Sequence, residues 1–265
     1  MTVSMAEWRH AIDRPGSAGV RVPGSRRTGA AMNGDEMLRR VRLVSLSHVN
    51  DPARVSVFPG DPPPRLETVA TLDREGFYLQ TVFAGEHTGT HWGAPGHFTP
   101  GGLLADEMTP EDLFRPAVCV DVRAECAADS GHAVTVADLR RWEAEHGRIP
   151  DESVVVIRTG WEERFGTAGF LPHPGFAPET VRWLVDSGRL GERGGTGTDA
   201  FSPDVSGDTC FTVSRLVYRQ RRISLECLAN LAELPATGAW VLCGGQINKA
   251  GSGSTALIYG VLPPG

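Results

Sequence analysis

Four consecutive aliphatic residues, Val154 to Ile157, are bounded by polar residues on both sides. An unbroken apolar run of this length is typical of a strand with both faces buried. Such strands occur where helices cover a sheet, and the run falls between two stretches of helical periodicity, at 136–146 and 178–187. Other strand-like runs cluster early and late in the chain. This order predicts a mixed α/β domain.

The two predicted helices are defined by their ends as well as by their period. Thr135 precedes the first helix, Asp138 occupies its third position and Gly147 follows it, an arrangement typical of a capped helix. The second helix ends at Gly188 and has one apolar face. Further strands are predicted at 55–58, 223–227, 240–243 and 255–262, and we interpret 251–255 as a loop before the last strand.

Charge and cysteine content argue against several classes of function. The chain has a net charge of -6 and no basic stripe in its body, whereas binding to phosphate needs clustered Lys and Arg. Its five cysteines are scattered, which predicts buried reduced thiols rather than a disulfide framework. No segment reaches the ~20 apolar residues of a membrane span. We therefore expect a cytoplasmic protein with no nucleic-acid or membrane partner.

The first part of the chain differs in composition from the rest. Residues 1–36 place five arginines among Gly, Pro, Ala and Ser without a hydrophobic period, and such a segment is predicted to be a flexible arm. Residues 37–265 are long enough for one domain with a substantial core. Met5, Met32 and Met37 leave open where translation begins.

Chemistry is concentrated between His87 and Phe98. Three of the chain's eight histidines, His87, His91 and His97, lie within eleven residues, where chance would place about a third of one. The intervening glycines and proline exclude a regular helix and predict a tight loop. Neutral imidazoles suit a divalent metal, and an imidazole near its ordinary pKa suits general acid or base catalysis. Histidines that only pack or bind backbone are the alternative.

This segment resembles the motif His-x-Gly-Thr-His-x-Asp-x-Pro-x-His-Phe of the cyclase family, which includes kynurenine formamidase and isatin hydrolase. The Gly, Thr, Pro and all three His of the motif are matched at the same positions in this sequence. The resemblance implies a swivelling β/β/α-type fold and a homo-oligomer with active sites near subunit contacts. It extends from residue 41 onward, through Leu46-Ser47-His48, Phe58-Pro59-Gly60-Asp61, Arg158-Thr159-Gly160-Trp161, Gly197-Thr198-Asp199, Glu226 and Leu234-Pro235.

In metal-bearing members of the family, the first two motif histidines and the Asp bind a metal, and a later His and a Glu hold a second ion. By position, the resemblance assigns these roles to His87, His91 and Glu226, whereas Gly93 replaces the Asp and Ser214 the later His. Losing two of five ligand positions disfavours a two-metal site. We predict no cofactor; the alternative is one Zn or Mn ion held by His87, His91 and Glu226 or by three histidines.

The resemblance makes His97 the acid or base that acts on the substrate. We predict an enzyme acting on a carbonyl-bearing, aromatic or polyketide-like small molecule, as in antibiotic biosynthesis, where His97 removes a proton and protonated His87 or His91 stabilises an oxyanion. Ring closure, dehydration or isomerisation would follow. The alternatives are a single-metal amidohydrolase or lactam hydrolase, with Glu226 in the site, and a binding protein without catalysis.

Five further residues are predicted to contact this substrate. Trp92 and Trp161 would form an aromatic wall for a planar molecule, although Trp is more often part of a core. Phe58, Ser214 and Gln246 complete the set. The acidic residues at 199, 204 and 208 are interpreted as turn and capping residues.

Overall fold

The computed structural model describes residues 40–263. The predicted arm at 1–36 lies outside the described residues, so the arm and its boundary stay predictions. The described residues form thirteen strands: β1 (Arg42–Ser45), β2 (Arg65–Ala70), β3 (Leu79–Phe83), β4 (His91–Gly93), β5 (Phe114–Asp121), β6 (Ala133–Val134), β7 (Val154–Arg158), β8 (Gly175–Phe176), β9 (Gly195–Thr198), β10 (Ile223–Glu226), β11 (Ala239–Cys243), β12 (Gly253–Thr255) and β13 (Ile258–Leu262). They also form six α-helices: α1 (Leu72–Glu75), α2 (Pro110–Leu113), α3 (Arg123–Ala128), α4 (Val136–His146), α5 (Pro178–Asp186) and α6 (Thr212–Val217).

Nine of these strands form one mixed sheet, in the order β1-β13-β11-β5-β7-β9-β10-β4-β12. The central strands β5, β7, β9 and β10 pair in parallel, and the strands on both sides of them pair antiparallel. Parallel neighbours need long crossovers, which are usually helical. Helices α3 to α6 accordingly lie between β5 and β10 in the chain.

Strand β7 is buried on both faces, as its sequence predicts. Val155 and Ile157 pack in one core with Leu139 of α4, while Val154 and Val156 pack in a second core on the opposite face. Successive side chains of a strand point to opposite faces, so a strand between two cores must be apolar at every position. This is the physical origin of the unbroken run.

Both predicted helices are confirmed. Before α4, the Thr135 hydroxyl accepts a hydrogen bond from the Asp138 N–H at 3.2 Å, and the Asp138 carboxylate accepts one from the Thr135 N–H at 2.8 Å. These reciprocal bonds satisfy donors that the helix leaves unpaired at its start. Helix α5 ends at Asp186, one residue before the predicted end, and the strands predicted at 223–227 and 240–243 are confirmed within one residue at each end.

Three local predictions are wrong. Residues 55–58 form no strand; within the described chain this irregular segment is held by Ser56 Oγ, which accepts from the Gly166 N–H at 2.7 Å. The strand predicted at 255–262 is two strands, because β12 pairs with β4 whereas β13 lies between β1 and β11. Residues 253–255 are therefore part of the sheet and not a loop.

All five cysteines are free thiols, as predicted, but only four are buried; Cys210 is exposed. Between residues 40 and 263 we find no helix with both the length and the apolar character needed to cross a membrane. The cytoplasmic location and the lack of a nucleic-acid partner stay predictions.

Candidate active site

The three motif histidines come from one strand and the two segments beside it. His91 begins β4, His87 lies in the preceding turn, and His97 ends a 3-10 turn at Pro95–His97. The middle of the motif is a strand rather than the predicted loop, because β10 and β12 pair with its two edges. The preceding turn needs Gly89, whose φ is 62° and where a Cβ would overlap the Asn50 side chain.

His91 and Glu226 form a buried pair across neighbouring strands. They are directly opposite in the register of β4 and β10, with Nε2 and Oε2 3.3 Å apart. The other ring nitrogen, Nδ1, lies 2.9 Å from the Gly89 carbonyl oxygen, which can only accept. Burial opposes protonation of His91, but the hydrogen bond and charge of Glu226 outweigh it and raise the His91 pKa. The Glu226 pKa is lowered despite burial, because His91 donates to it and lies beside it, so both shifts favour the charged form of the pair, an imidazolium and a carboxylate.

His87 and His97 are instead held as neutral imidazoles. Their rings stack at 3.8 Å between centroids, 18° from parallel. Burial, followed by electrostatic repulsion from the neighbouring His91 and His97 rings, lowers the pKa of His87 to about 2. Loss of solvation also lowers the pKa of His97, although part of this residue remains exposed. A neutral imidazole that still reaches solvent can accept a proton at neutral pH.

A second layer of polar side chains holds His87 in place. Its Nε2 lies 2.9 Å from Ser252 Oγ. The Glu86 carboxylate accepts hydrogen bonds from the Ser252 N–H at 2.8 Å and from its hydroxyl at 3.2 Å. Glu86 carries no sequence signal for this role, and Ser252 lies in a segment, 251–255, that looks like an isolated loop. The pairing of β12 with β4 brings Ser252, which precedes β12, beside the histidines.

The opposite side of the cavity is built at the start of α6. Ser214 donates through its hydroxyl to the Asp204 carboxylate at 2.5 Å, and Ser202 does so at 3.2 Å. Asp204 also accepts from the Val213 N–H at 2.6 Å, so it caps the helix, as predicted for a carboxylate in this turn-rich segment. Both serines line the cavity.

Four phenylalanines complete the cavity, which has a volume of about 210 Å³. The rings of Phe58 and Phe201 meet edge to face at 5.6 Å, and those of Phe98 and Phe211 lie 5.2 Å apart. The list of lining residues is Phe58, Asp61, His87, His91, His97, Phe98, Phe201, Ser202, Phe211, Ser214 and Glu226. The structure therefore brings all four predicted catalytic residues together with Phe58 and Ser214.

Three of the predicted substrate contacts lie elsewhere, which corrects the expected aromatic wall. Trp92 is 1% exposed and Trp161 is 2% exposed, and each belongs to one of the two hydrophobic cores. Trp92 alternates with His91 along β4 and so faces the opposite side of the sheet. Gln246 is exposed and does not line the cavity. The wall is made by phenylalanines of separate segments, which no sequence pattern connects.

The residues present do not fit the metal centre that the family resemblance implies. In the part of the chain that the structure describes, no group of three or more His, Cys, Asp or Glu side chains is arranged to hold a metal ion. Glu226 pairs with His91, and Ser214 donates to Asp204. At Gly93 a Cβ would overlap the Tyr218 hydroxyl. We therefore assign no reaction step to a metal.

A larger cavity of about 340 Å³ lies beside α4 and the end of β5. Its charged side chains already pair with one another: Arg141 contacts Glu125 at 2.5 Å and Asp138 at 2.9 Å. Paired groups of this kind stabilise a surface rather than present free reactive atoms. The smaller cavity, where two neutral imidazoles face an ion pair, is the better candidate for catalysis.

Comparison with known proteins identifies a family. A family model described as "Putative cyclase" matches residues 44–205. The chain belongs to the cyclase family. It is also 32% identical to isatin hydrolase of Roseibium aggregatum over 217 residues, which are 76% of this chain and 82% of that protein.

Solved structures of cyclase-family members confirm the expected mixed α/β fold. Isatin hydrolase A from Labrenzia aggregata, bound to benzyl benzoate, has a TM-score of 0.78 and 30% identity, covering 86% of this chain and 96% of its own. Isatin hydrolase A from Ralstonia solanacearum has a TM-score of 0.78 and 29% identity, covering 89% of this chain and all of its own. These relatives support an enzyme of hydrolase type.

Proposed function

We propose that this cyclase-family enzyme hydrolyses a cyclic amide fused to an aromatic ring, with isatin as its first test substrate. One observation carries the proposal: in a single cavity, four phenylalanines face two neutral histidines and a His91–Glu226 ion pair. Similarity to isatin hydrolases supports the substrate class. This ranks hydrolysis, the reaction of the single-metal amidohydrolase alternative but here without its metal, above ring closure of a polyketide.

The size and lining of the cavity support a small planar substrate. Drug-sized ligands occupy pockets of ~300–1,000 Å³, so a volume of about 210 Å³ selects something smaller, such as two fused rings. Aromatic rings bind one another by offset or edge-to-face contacts, and the pairs Phe58–Phe201 and Phe98–Phe211 offer such surfaces. A relative bound to an aromatic ester agrees with this choice.

In the proposed reaction His97 is the general base. Its neutral imidazole takes a proton from water, the water oxygen bonds to the amide carbonyl carbon, and the carbonyl oxygen becomes an oxyanion. The nearby His91 imidazolium, whose two ring nitrogens lie against Glu226 and the Gly89 carbonyl, favours that negative charge through space and not by a direct hydrogen bond. When the C–N bond breaks, protonated His97 returns its proton to the leaving nitrogen. Each such acid–base role contributes ~10²–10⁴-fold in rate.

The reaction uses these side chains and needs no divalent ion. The support is the donor set: the residues that would hold Zn or Mn are committed to other partners. A ketone beside the amide carbonyl, as in isatin, makes that carbonyl a better electrophile. The activation barrier to water attack assisted by a histidine base is therefore lower for isatin than for an ordinary amide.

Proton abstraction next to a carbonyl, leading to ring closure, dehydration or isomerisation, is the second candidate. The partly exposed, neutral His97 against an apolar wall favours it, because carbon acids need a base but no attacking water. Base-catalysed deuterium exchange at the carbon beside the carbonyl, followed by NMR, separates it from hydrolysis. Tight binding without exchange or turnover would indicate a binding protein instead.

The decisive assay is the conversion of isatin by the purified full chain, followed by absorbance and by mass spectrometry. We expect a ring-opened product heavier by one water. The matched control is the analogue with the amide but without the neighbouring ketone, which should react far more slowly. No turnover of isatin, with exchange on a carbon acid, would replace hydrolysis by the second candidate.

A homo-oligomer is proposed from the hairpin of β2 and β3. Every residue of β3 is exposed, including Val82 at 69% and Phe83 at 50%. A two-stranded hairpin is marginally stable alone, and a second copy of the chain would cover these apolar side chains. The hairpin connects Asp61 to Glu86, so a partner that holds it would also steady the cavity. Light scattering should give a mass above that of one chain; a monomer would contradict the proposal.

A further inference from the structure

Two residues on one face of α6 lie close to the histidines. Ser214 and Tyr218 are four residues apart, and residues at this spacing project from the same face of a helix. The Tyr218 N–H donates to the Ser214 carbonyl at 3.0 Å as the helix ends. Ser214 lines the cavity, while Tyr218 is 1% exposed. The same helix face therefore supplies the cavity wall and, one turn later, the packing behind it.

Tyr218 interlocks with Gly93 of β4. A Cβ built on Gly93 would overlap the Tyr218 hydroxyl and would lie 3.0 Å from its Cζ. Neither partner can move freely, because Gly93 is paired to Ser224 on one side and Gly253 on the other. The Tyr218 ring stacks on Phe98, 7° from parallel.

The Tyr218 hydroxyl has an unusual environment. It is buried and forms no hydrogen bond of ordinary geometry with the residues that the structure describes. Burial, followed by the charge of Glu226, raises its pKa far above the ordinary value, although the nearby Ser224 hydroxyl opposes this. It is therefore a neutral phenol placed directly against the backbone of Gly93.

The position that Tyr218 blocks is one from which a side chain could bind a metal ion. Residues i and i+2 of a strand share a face, so position 93 is where β4 could add a second ligand beside His91. A carboxylate there, with His87 and His91, would complete the three protein ligands that a catalytic zinc needs. We propose that Tyr218 closes this position, so that the cavity excludes a divalent ion by occupied volume as well as by the missing carboxylate.

Metal uptake tests the proposal without any substrate, so its outcome is separate from that of the proposed hydrolysis. The proteins are the natural chain, Gly93→Asp, Tyr218→Leu and the double variant Gly93→Asp/Tyr218→Leu, each purified without chelator or affinity metal. Leu keeps the site apolar but lacks the end of the ring. After addition of Zn²⁺ or Mn²⁺ and desalting, metal per chain is measured by elemental analysis and affinity by calorimetry.

We expect about one ion per chain only in the double variant, bound at least ~10-fold more tightly than by the other three proteins. Tyr218→Leu alone is the matched control, since it opens space without adding a ligand. Near-stoichiometric metal in the natural chain, or equal uptake by Gly93→Asp with and without Tyr218, would overturn the proposal.

Thermal unfolding keeps the proposal testable if the double variant folds poorly. Gly93→Ala adds only the Cβ that meets Tyr218, so it should lower the Tm of the natural chain clearly and that of Tyr218→Leu little or not at all. Equal Tm losses in the two backgrounds would show that the residues are not coupled, and the proposal would fail.

Discussion

The two walls of the cavity are built in different ways. In the histidine wall, the register of β4 and β10 sets His91 against Glu226, and His87 and His97 lie in the turns on either side of β4. The phenylalanine wall comes from segments far apart in the chain, including Phe58, Phe98 and Phe211. A wall fixed by backbone pairing can hold reacting groups within a fraction of an ångström, whereas a wall of packed rings is adaptable. We therefore assign chemistry to the first wall and substrate choice to the second.

Loss of the base should have the largest effect. His97→Gln removes the proton acceptor while keeping a polar side chain, and kcat for isatin should fall ~10²–10⁴-fold. The control is His146→Gln, which alters an exposed residue on α4. If kcat of the His97 variant equals that of the control, the histidine wall does not carry the chemistry.

Breaking the ion pair should lower stability in addition to activity. Glu226→Gln leaves His91 without its counter-charge in a site where the two side chains are 13% and 4% exposed. Removing one partner of a buried pair costs ~3–5 kcal/mol in unfolding free energy, measurable by urea denaturation. Glu233→Gln, which breaks the exposed pair with Arg42, should cost less than ~1 kcal/mol. Equal losses of unfolding free energy would mean that the buried His91–Glu226 pair stabilises the fold no more than the exposed Arg42–Glu233 pair does.

Changing the aromatic wall should affect binding more than catalysis. Phe58→Ala removes a ring that meets Phe201 and Phe211, and an aromatic contact is worth ~0.5–1.5 kcal/mol. We expect KM for isatin to rise up to ~10-fold with kcat nearly unchanged, in steady-state kinetics. A fall in kcat with constant KM would mean that the phenylalanines position the reacting groups themselves.

The histidine wall should also make stability depend on pH. His87 has a pKa of about 2 when folded, against an ordinary value of 6.5, so between these values only the unfolded chain takes up its proton. Unfolding free energy should therefore fall as pH drops below 6.5, by at most ~1.4 kcal/mol per pH unit from this residue. His87→Gln should show a shallower fall in urea titrations from pH 7 to 5. An unchanged slope would contradict a neutral, buried His87.

The sequence predicts the histidine wall much better than the phenylalanine wall, for a physical reason. His87, His91 and His97 lie in one short segment, so local spacing already places them together. Glu226 is predicted only through the family resemblance, because a strand pairing across more than a hundred residues leaves no local pattern. Ser252 and Tyr218 escaped notice since their roles depend on strand pairing and on a helix face that only the fold defines.

The same distinction explains the fold predictions. The buried strand at 154–157 and the helix at 136–146 carry their own periodicity and caps, and both are confirmed. The run at 55–58 looks equally strand-like, yet its residues have no strand partner in the described chain and one of them, Phe58, turns to the cavity. The local sequence pattern shows which secondary structure a segment can form, whereas the availability of a neighbouring strand decides whether a strand forms.

The central claim is that the histidine wall performs the reaction with its own side chains. The most direct test is isatin turnover by the full chain before and after removal of metal with a chelator, with metal content measured on the same samples. We expect equal kcat in both samples, with less than about one tenth of an ion per chain in the second. Turnover that disappears on chelation and returns with added Zn²⁺ or Mn²⁺ would contradict it.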